Sequence, residues 1–573
     1  MNLRNIKYML PASALLLTMG LSSCTKDLDV ESIDPNTYET ADAQSLFNKC
    51  YAEFVLEGNG PGDSELDLGD AGLSVCYRLL WNANNLTTDE AICGWSDKGV
   101  AEFDYNSYTA TNDCLYGLYW RLCFGASICN QYLAQCADYD ATMTAEVHFI
   151  RALYYYYLLD NFGDPSFASE ISMSTPRQAY TYNEKYVEGQ SYSKEEKLAM
   201  GREFLFNWIV KELEDNMDGM LAPSVRKKGE ANYGRADQSA AWMLLARLYL
   251  NAETYTGTPQ WDKAKEYADK VINQSGRSIW MGDNAVDHTS ANGQWSAYQM
   301  LFMADNDTSG AYNESIFAFI LDGATTASWG ASTFLFAASW DGYMKNDYPQ
   351  KTDQAWGGNR TRVDLLEKFI ATSKLNPLPD WKTETIVEAA GDDRALFYGD
   401  NAKGTGDVKD RKWTNDDLAT FTDGFATTKY TSQRSDGGEV SNTTHNDNDI
   451  MLMRLAEAYL IYAEAEARAA GSLTTLSQGT DYINTLRVRA NNSDLHTAYT
   501  LREILDERSR ELYFEGIRRT DLVRYGYYGG SSYTWQWKGG IQAGGKVDAY
   551  RDVFPIPTTE LGTNSNLTQN PGY

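Results

Sequence analysis

Histidine is nearly missing from this sequence. His148, His288, His445 and His496 are the whole supply in 573 residues, and only the last two lie within 100 positions of each other. A histidine-based metal centre is therefore not expected. Positive charge is also scarce: 50 Lys and Arg stand against 79 Asp and Glu, a net charge of -29. A chain this acidic repels phosphate backbones, so no nucleic acid partner is expected. No cysteine pair has C-x-x-C spacing, which argues against zinc-ribbon and thioredoxin-like chemistry. The chain has no G-x-S-x-G, H-E-x-x-H, Walker A loop or dinucleotide-binding glycine signature. No cofactor and no enzymatic role is expected, although 79 acids leave room for a glycosidase-type carboxylate pair. A mean hydropathy of -0.49 argues against a polytopic membrane protein.

What the sequence does contain is aromatic surface: 39 Tyr and 15 Trp, with aromatics forming 13% of the chain. That exceeds the needs of a core and points to recognition. Residues 1–23 read as an export leader, with Arg4 and Lys7 before the apolar stretch Met9 to Leu21. Leu21-Ser22-Ser23-Cys24 resembles the lipobox of bacterial lipoproteins, which makes Cys24 the expected lipidation site and membrane anchor. The other seven cysteines are Cys50, Cys76, Cys93, Cys114, Cys123, Cys129 and Cys136. Several fall on apolar helical stretches, so mostly free, buried thiols are expected.

Apolar residues recur at helical spacing over 142–160, 236–251, 450–469 and 501–515, with Gly163, Gly471 and Gly516 near the ends of such runs. Ala240-Ala241-x-x-Leu244-Leu245-Ala246 followed by Trp261-x-x-Ala264-x-x-Tyr267-Ala268 reads as a tetratricopeptide-like pair or an ordinary helical hairpin. The mature chain, 24–573, reads as a single body. Its helical frame covers about 38–57, 112–277 and 446–573, with loop-rich stretches at about 58–111 and 278–445. Those loops carry Trp81, Trp95, Trp280, Trp295, Trp329, Trp340, Trp356, Trp381 and Trp413, too many aromatics for disorder, and read as ordered and functional.

Five ordered motifs carry a resemblance. They are Ala145 to Leu158 with Phe162-Gly163-Asp164-Pro165, Gly234-Arg235-Ala236-Asp237 with its following helix, and Met453 to Ala465. Glu507 to Arg519 with Asp521-Leu522 is the fourth, and Val553-Phe554-Pro555-Ile556-Pro557 through Gln569-Asn570-Pro571-Gly572-Tyr573 closes the chain. Together they resemble the SusD/RagB family. The resemblance implies a mainly α fold with tetratricopeptide-like hairpins plus a loop-rich ligand-binding part. It also implies a lipid-anchored protein at the outer-membrane surface that binds oligosaccharides and serves a SusC-like TonB-dependent transporter without catalysis. RagB-like members serve peptide uptake on the same frame, which makes peptide binding the alternative. A pure assembly scaffold and a surface endoglycanase are further readings.

A sugar presents an apolar C–H face and a polar rim, which call for aromatic platforms with amide, carboxylate or guanidinium partners. The segment Leu86-Thr87-Thr88-Asp89-Glu90-Ala91, leading to Trp95, resembles a ligand-side element of the family, and Trp329 lies where glycan-binding relatives place an aromatic. The expected platforms are Trp95, Trp329 and Trp356, with Asp89 and Asn359 as polar partners. Core packing is the competing role for each tryptophan. Asp305 to Gly310 imitates the start of a calcium loop but has Ile316 in the twelfth place, and Asp447 and Asp449 form another acidic cluster. Both read as solvated Asx turns, and no metal is expected. Arg508, Arg510, Arg518 and Arg519 alternate with Glu507, Glu511 and Glu515, which reads as structural ion pairing along a helix.

Overall fold

The computed structural model describes residues 42–58, 62–171, 175–282, 295–400 and 409–573. The leader and Cys24 lie outside these residues. The fold is mainly helical. Helix α1, Asp113–Gln135, starts where the Asn112 side chain accepts from the Leu115 amide, and α2, Ala141–Phe162, where Asp140 accepts from Met143. These two pack as a hairpin, and Gly125 brings them together: a Cβ there would stand 2.2 Å from the Tyr154 ring. Helix α3, Lys194–Asn216, opens with a Ser193/Glu196 capping box and lies against α2.

The expected pairing of 240–246 with 261–268 is present. Helix α4, Gln238–Leu250, buries Ala240, Ala241, Leu244 and Leu245 against α5, Trp261–Gln274, which buries Ala264, Tyr267 and Ala268. Helix α6, Leu455–Ala470, packs on α5 and stops at Gly471 with φ +88°. It also packs against α7, Gln478–Arg489, and α8, Leu501–Leu512, the latter capped by a Thr500/Glu503 box. Among the described residues no helix is long and apolar enough to cross a membrane.

Short antiparallel pairs join the loop-rich stretches to this frame. Ser315–Phe319 pairs with Ile450–Arg454 just before α6, and Ala91–Cys93 pairs with Asn359–Thr361, Cys93 opposite Asn359. Trp81, Trp340 and Trp381 are core residues, each donating its indole N–H to a backbone carbonyl, those of Phe514, Tyr430 and Leu375. Cys50, Cys76, Cys93, Cys114 and Cys129 are buried thiols and Cys123 is half-buried, as expected. Burial pushes the Cys93 and Cys123 thiols up to about 12 and Cys76 and Cys114 higher still, so none is a poised nucleophile.

The arginine-rich run is structural, but its partners differ from those expected. Only Arg510 pairs with Glu507 along the helix. Glu507 otherwise holds Arg394 and Arg487, while Glu511 holds Arg394, Arg454 and Arg489. Arg454 also takes Glu314 and Glu515. The i, i+4 spacing describes neighbours on an exposed face; this face is buried, so its charges reach across to other segments.

Candidate functional site

Trp95 lies in a stretch of chain distant from that of Trp329 and Trp356, and the fold brings the three together. Trp356 is central, its ring centroid 5.9 Å from Trp329 and 6.3 Å from Trp95, with planes tilted by 42° and 53°. All three are half-buried. Each is fixed from behind. The Trp329 amide donates to Glu57 Oε1 at 2.5 Å, and its ring lies 4.3 Å from His445. The Trp356 amide donates to the Ala337 carbonyl at 2.7 Å, and its indole N–H donates to Gln354 Oε1 at 2.8 Å. The Trp95 indole rests on the backbone of Gly358, where an added Cβ would fall 2.3 Å from Nε1 and where φ is +104°. Behind Trp95, the Arg78 guanidinium sits 5.0 Å from both the Trp95 and Phe334 centroids and 3.6 Å from Asp70. Burial raises the Glu57 carboxyl and lowers His445, leaving the imidazole neutral at pH 7.

The polar partners expected from the sequence are placed differently. Asp89 does not reach the platform. It is fully buried, accepting from Arg518 Nε at 2.7 Å and Nη2 at 2.8 Å, from Lys368 Nζ at 3.0 Å and from the Tyr533 hydroxyl at 2.7 Å. These cations hold its carboxyl well below the usual range despite the burial. Its role is to join the helix Arg518–Arg524 to the 86–95 segment. The resemblance of Thr88-Asp89-Glu90 therefore marks the support of the ligand-side loop. Asn359 is buried one residue beyond Gly358; its backbone N–H donates to the Ala338 carbonyl at 2.9 Å, while among the described residues its side-chain carboxamide has no hydrogen-bond partner.

Two residues at the site escaped the sequence reading. Arg78 carries the lone charge in the short helix Cys76–Trp81, an anomaly visible in the sequence. His445 is one of only four histidines. The acidic runs are structural: Asp305 accepts from the amide and hydroxyl of Ser435, Asp307 pairs with Lys228 at 3.0 Å, and Asp447 accepts from Gly323 and Ser441. Among the described residues no group of three or more acidic, cysteine or histidine side chains could hold a metal.

Tilted flat rings with small polar edges suit a ligand with apolar ring faces and a curved course. The SusD family profile matches residues 278–573. The starch-binding protein SusD of Bacteroides thetaiotaomicron is 35% identical over 606 residues, covering 100% of both chains. Solved structures share the fold at low identity. A SusD superfamily protein from Parabacteroides distasonis has a TM-score of 0.61 at 19% identity, covering 93% of this chain and 98% of its own. Surface glycan-binding protein A of Bacteroides thetaiotaomicron, in complex with laminarihexaose, has a TM-score of 0.60 at 18% identity, covering 92% and 98%.

Proposed function

The chain belongs to the SusD family, and from that premise we propose that it captures glycans at the cell surface on the Trp329–Trp356–Trp95 platform, without catalysis, for a SusC-like TonB-dependent transporter. The lipid on Cys24 holds it at the outer membrane. The observation that carries the reading is the convergence of three tryptophans from separate loops, each braced from behind and half open. Core packing alone gives no reason for three indoles to share one face. The tilt between successive rings favours a curved chain over a flat ribbon, and the full-length relative is a starch-binding protein; an α-glucan is the substrate class we assign. Open platforms of this kind bind weakly, a millimolar Kd being only about -4 kcal/mol, and a repetitive polymer offers avidity in return.

The test is calorimetry and affinity electrophoresis of the lipid-free mature chain against a polysaccharide panel that includes amylopectin, with a peptide mixture alongside. Saturable binding to an α-glucan without release of reducing ends is expected, and the Trp95→Ala, Trp329→Ala double variant abolishes it. Binding to peptides alone moves the protein to the RagB-like role. Reducing-sugar release makes it an enzyme.

A further inference from the structure

Phe421 is a large aromatic left 39% exposed, and it adjoins the platform. A Cβ on Gly94 would stand 2.7 Å from its ring, and one on Gly357 would stand 3.4 Å from the ring's other edge. Those glycines are the neighbours of Trp95 and Trp356. Gly94 and Gly358 are hydrogen-bonded to each other, Gly94 N–H to Gly358 O at 3.0 Å, so one bed of glycine backbone carries both the Trp95 indole and the Phe421 ring. No side chain fits in that bed, and the rings sit close to the backbone as a result.

The loop holding Phe421 is fixed by two buried guanidiniums. Arg360 donates to the Leu418 carbonyl at 2.6 Å and to the Thr420 carbonyl. Arg411 donates to the Phe421 carbonyl at 2.9 Å and the Gly424 carbonyl at 3.1 Å, with its other nitrogen on Asp341 at 2.6 Å. Within the loop, Asp417 accepts from the Ala419 amide and the Thr420 hydroxyl, and Asp423 accepts from the Asp417 amide. An exposed aromatic on a loop anchored this firmly is preorganised for a ligand, because little freedom remains to be lost on binding.

We propose that the glycan surface continues from Trp95 onto Phe421, which supplies a further stacking subsite, so that the site is matched to a chain longer than the three tryptophans alone engage. The inference rests on the glycan reading above. Its ligand class is the same, an α-1,4-linked glucan, and what it adds is a length requirement. Phe421 offers an apolar face to the C–H face of one more sugar ring, while the Asp341 side chain approaches the same Gly357 backbone, 3.8 Å from a Cβ placed there, for the rim.

The test uses the mature chain, its Phe421→Ala variant and its Phe421→Tyr variant, titrated calorimetrically with maltotriose and with maltoheptaose. Phe421→Ala is expected to weaken maltoheptaose by about 5- to 10-fold, the scale of one aromatic contact, and to leave maltotriose within about 2-fold of wild type. Phe421→Tyr, which keeps the ring, retains wild-type affinity for both, and neither variant shifts the melting temperature. Equal losses for both lengths overturn the inference, since Phe421 would then act only by bracing Trp95. Unchanged binding of both overturns it as well. Both results leave the glycan reading intact. A wild type that binds neither sugar overturns the α-glucan reading itself, and the length requirement falls with it.

Discussion

Replacing Asp89 by Asn separates support from ligand contact. The substitution keeps the shape of the side chain and removes its charge, leaving the Arg518 guanidinium and Lys368 ammonium buried against a neutral amide. Breaking a buried ion pair from one side costs about 3–5 kcal/mol. Here the lower end is expected, because Glu90 stands 3.9 Å from Arg518 and can take over part of the pairing. In the wild type, burial pushes the Glu90 carboxyl to about 7, with the neighbouring Asp89 charge adding to the effect. Without that charge Glu90 ionises more readily beside Arg518. A loss of about 3 kcal/mol in urea unfolding at pH 7 is therefore expected, with glycan affinity in the folded protein unchanged. The pH dependence follows from the sign of the shift. The Asp89 pKa is lowered in the folded state, so its contribution is present above the unfolded value of about 4 and lost as pH falls through the folded value. The gap between wild type and variant should close in acid, and should narrow from about pH 5 towards pH 7, where the Glu90 carboxyl, held at about 7 in the wild type, ionises. An Asn variant with wild-type stability but no glycan binding would refute the reasoning and return Asp89 to the site.

Trp356→Ala removes the ring that neighbours both others and should weaken glycan binding by about 10- to 100-fold, more than Trp95→Ala or Trp329→Ala alone, as read by calorimetry. Gly358→Ala combines φ +104° with a Cβ 2.3 Å from the Trp95 indole, so the ring must shift; binding should fall while the variant loses only about 1–2 kcal/mol in denaturation. Burial pushes Glu90, Asp104 and Asp449 each up to about 7, above their unfolded values near 4. Their contribution is complete below about pH 4 and disappears as pH rises through 7, so urea midpoints should be higher at pH 5.5 than at pH 8.

Much of the frame was legible in the sequence because helices announce themselves locally. The spacing through Leu452, Leu455, Ala456, Tyr459 and Leu460 marked the 450–469 run, although the structure begins the helix at Leu455 and gives Ile450–Arg454 to a strand. That strand has no partner within reach along the chain: it pairs with Ser315–Phe319, and sequence spacing carries no record of such a contact. The three tryptophans expected together from the sequence are neighbours in the fold, while Trp81, Trp340 and Trp381, equally aromatic, went to the core. What separates the two groups is whether an indole N–H is turned inward to a backbone carbonyl, a property of the fold. Asp89 shows the converse. Its neighbours along the chain mark the ligand side, but its partners Arg518 and Tyr533 lie more than 400 residues away.

The platform also has a kinetic meaning. Trp95 joins Trp329 and Trp356 only after the segments around Gly94 and Gly358 have paired across nearly half of the chain length, and Trp81 must reach the carbonyl of Phe514 near the far end. Contacts of such long sequence separation close late, after local helices have formed. Recovery of ligand binding during refolding should consequently lag behind recovery of helical signal, and a fragment holding only residues 278–573 would contain two of the three indoles and the Gly358 seat without the Trp95 that rests on it. Capture is thus a property of the completed chain, so a surface-bound sugar reports that folding has finished.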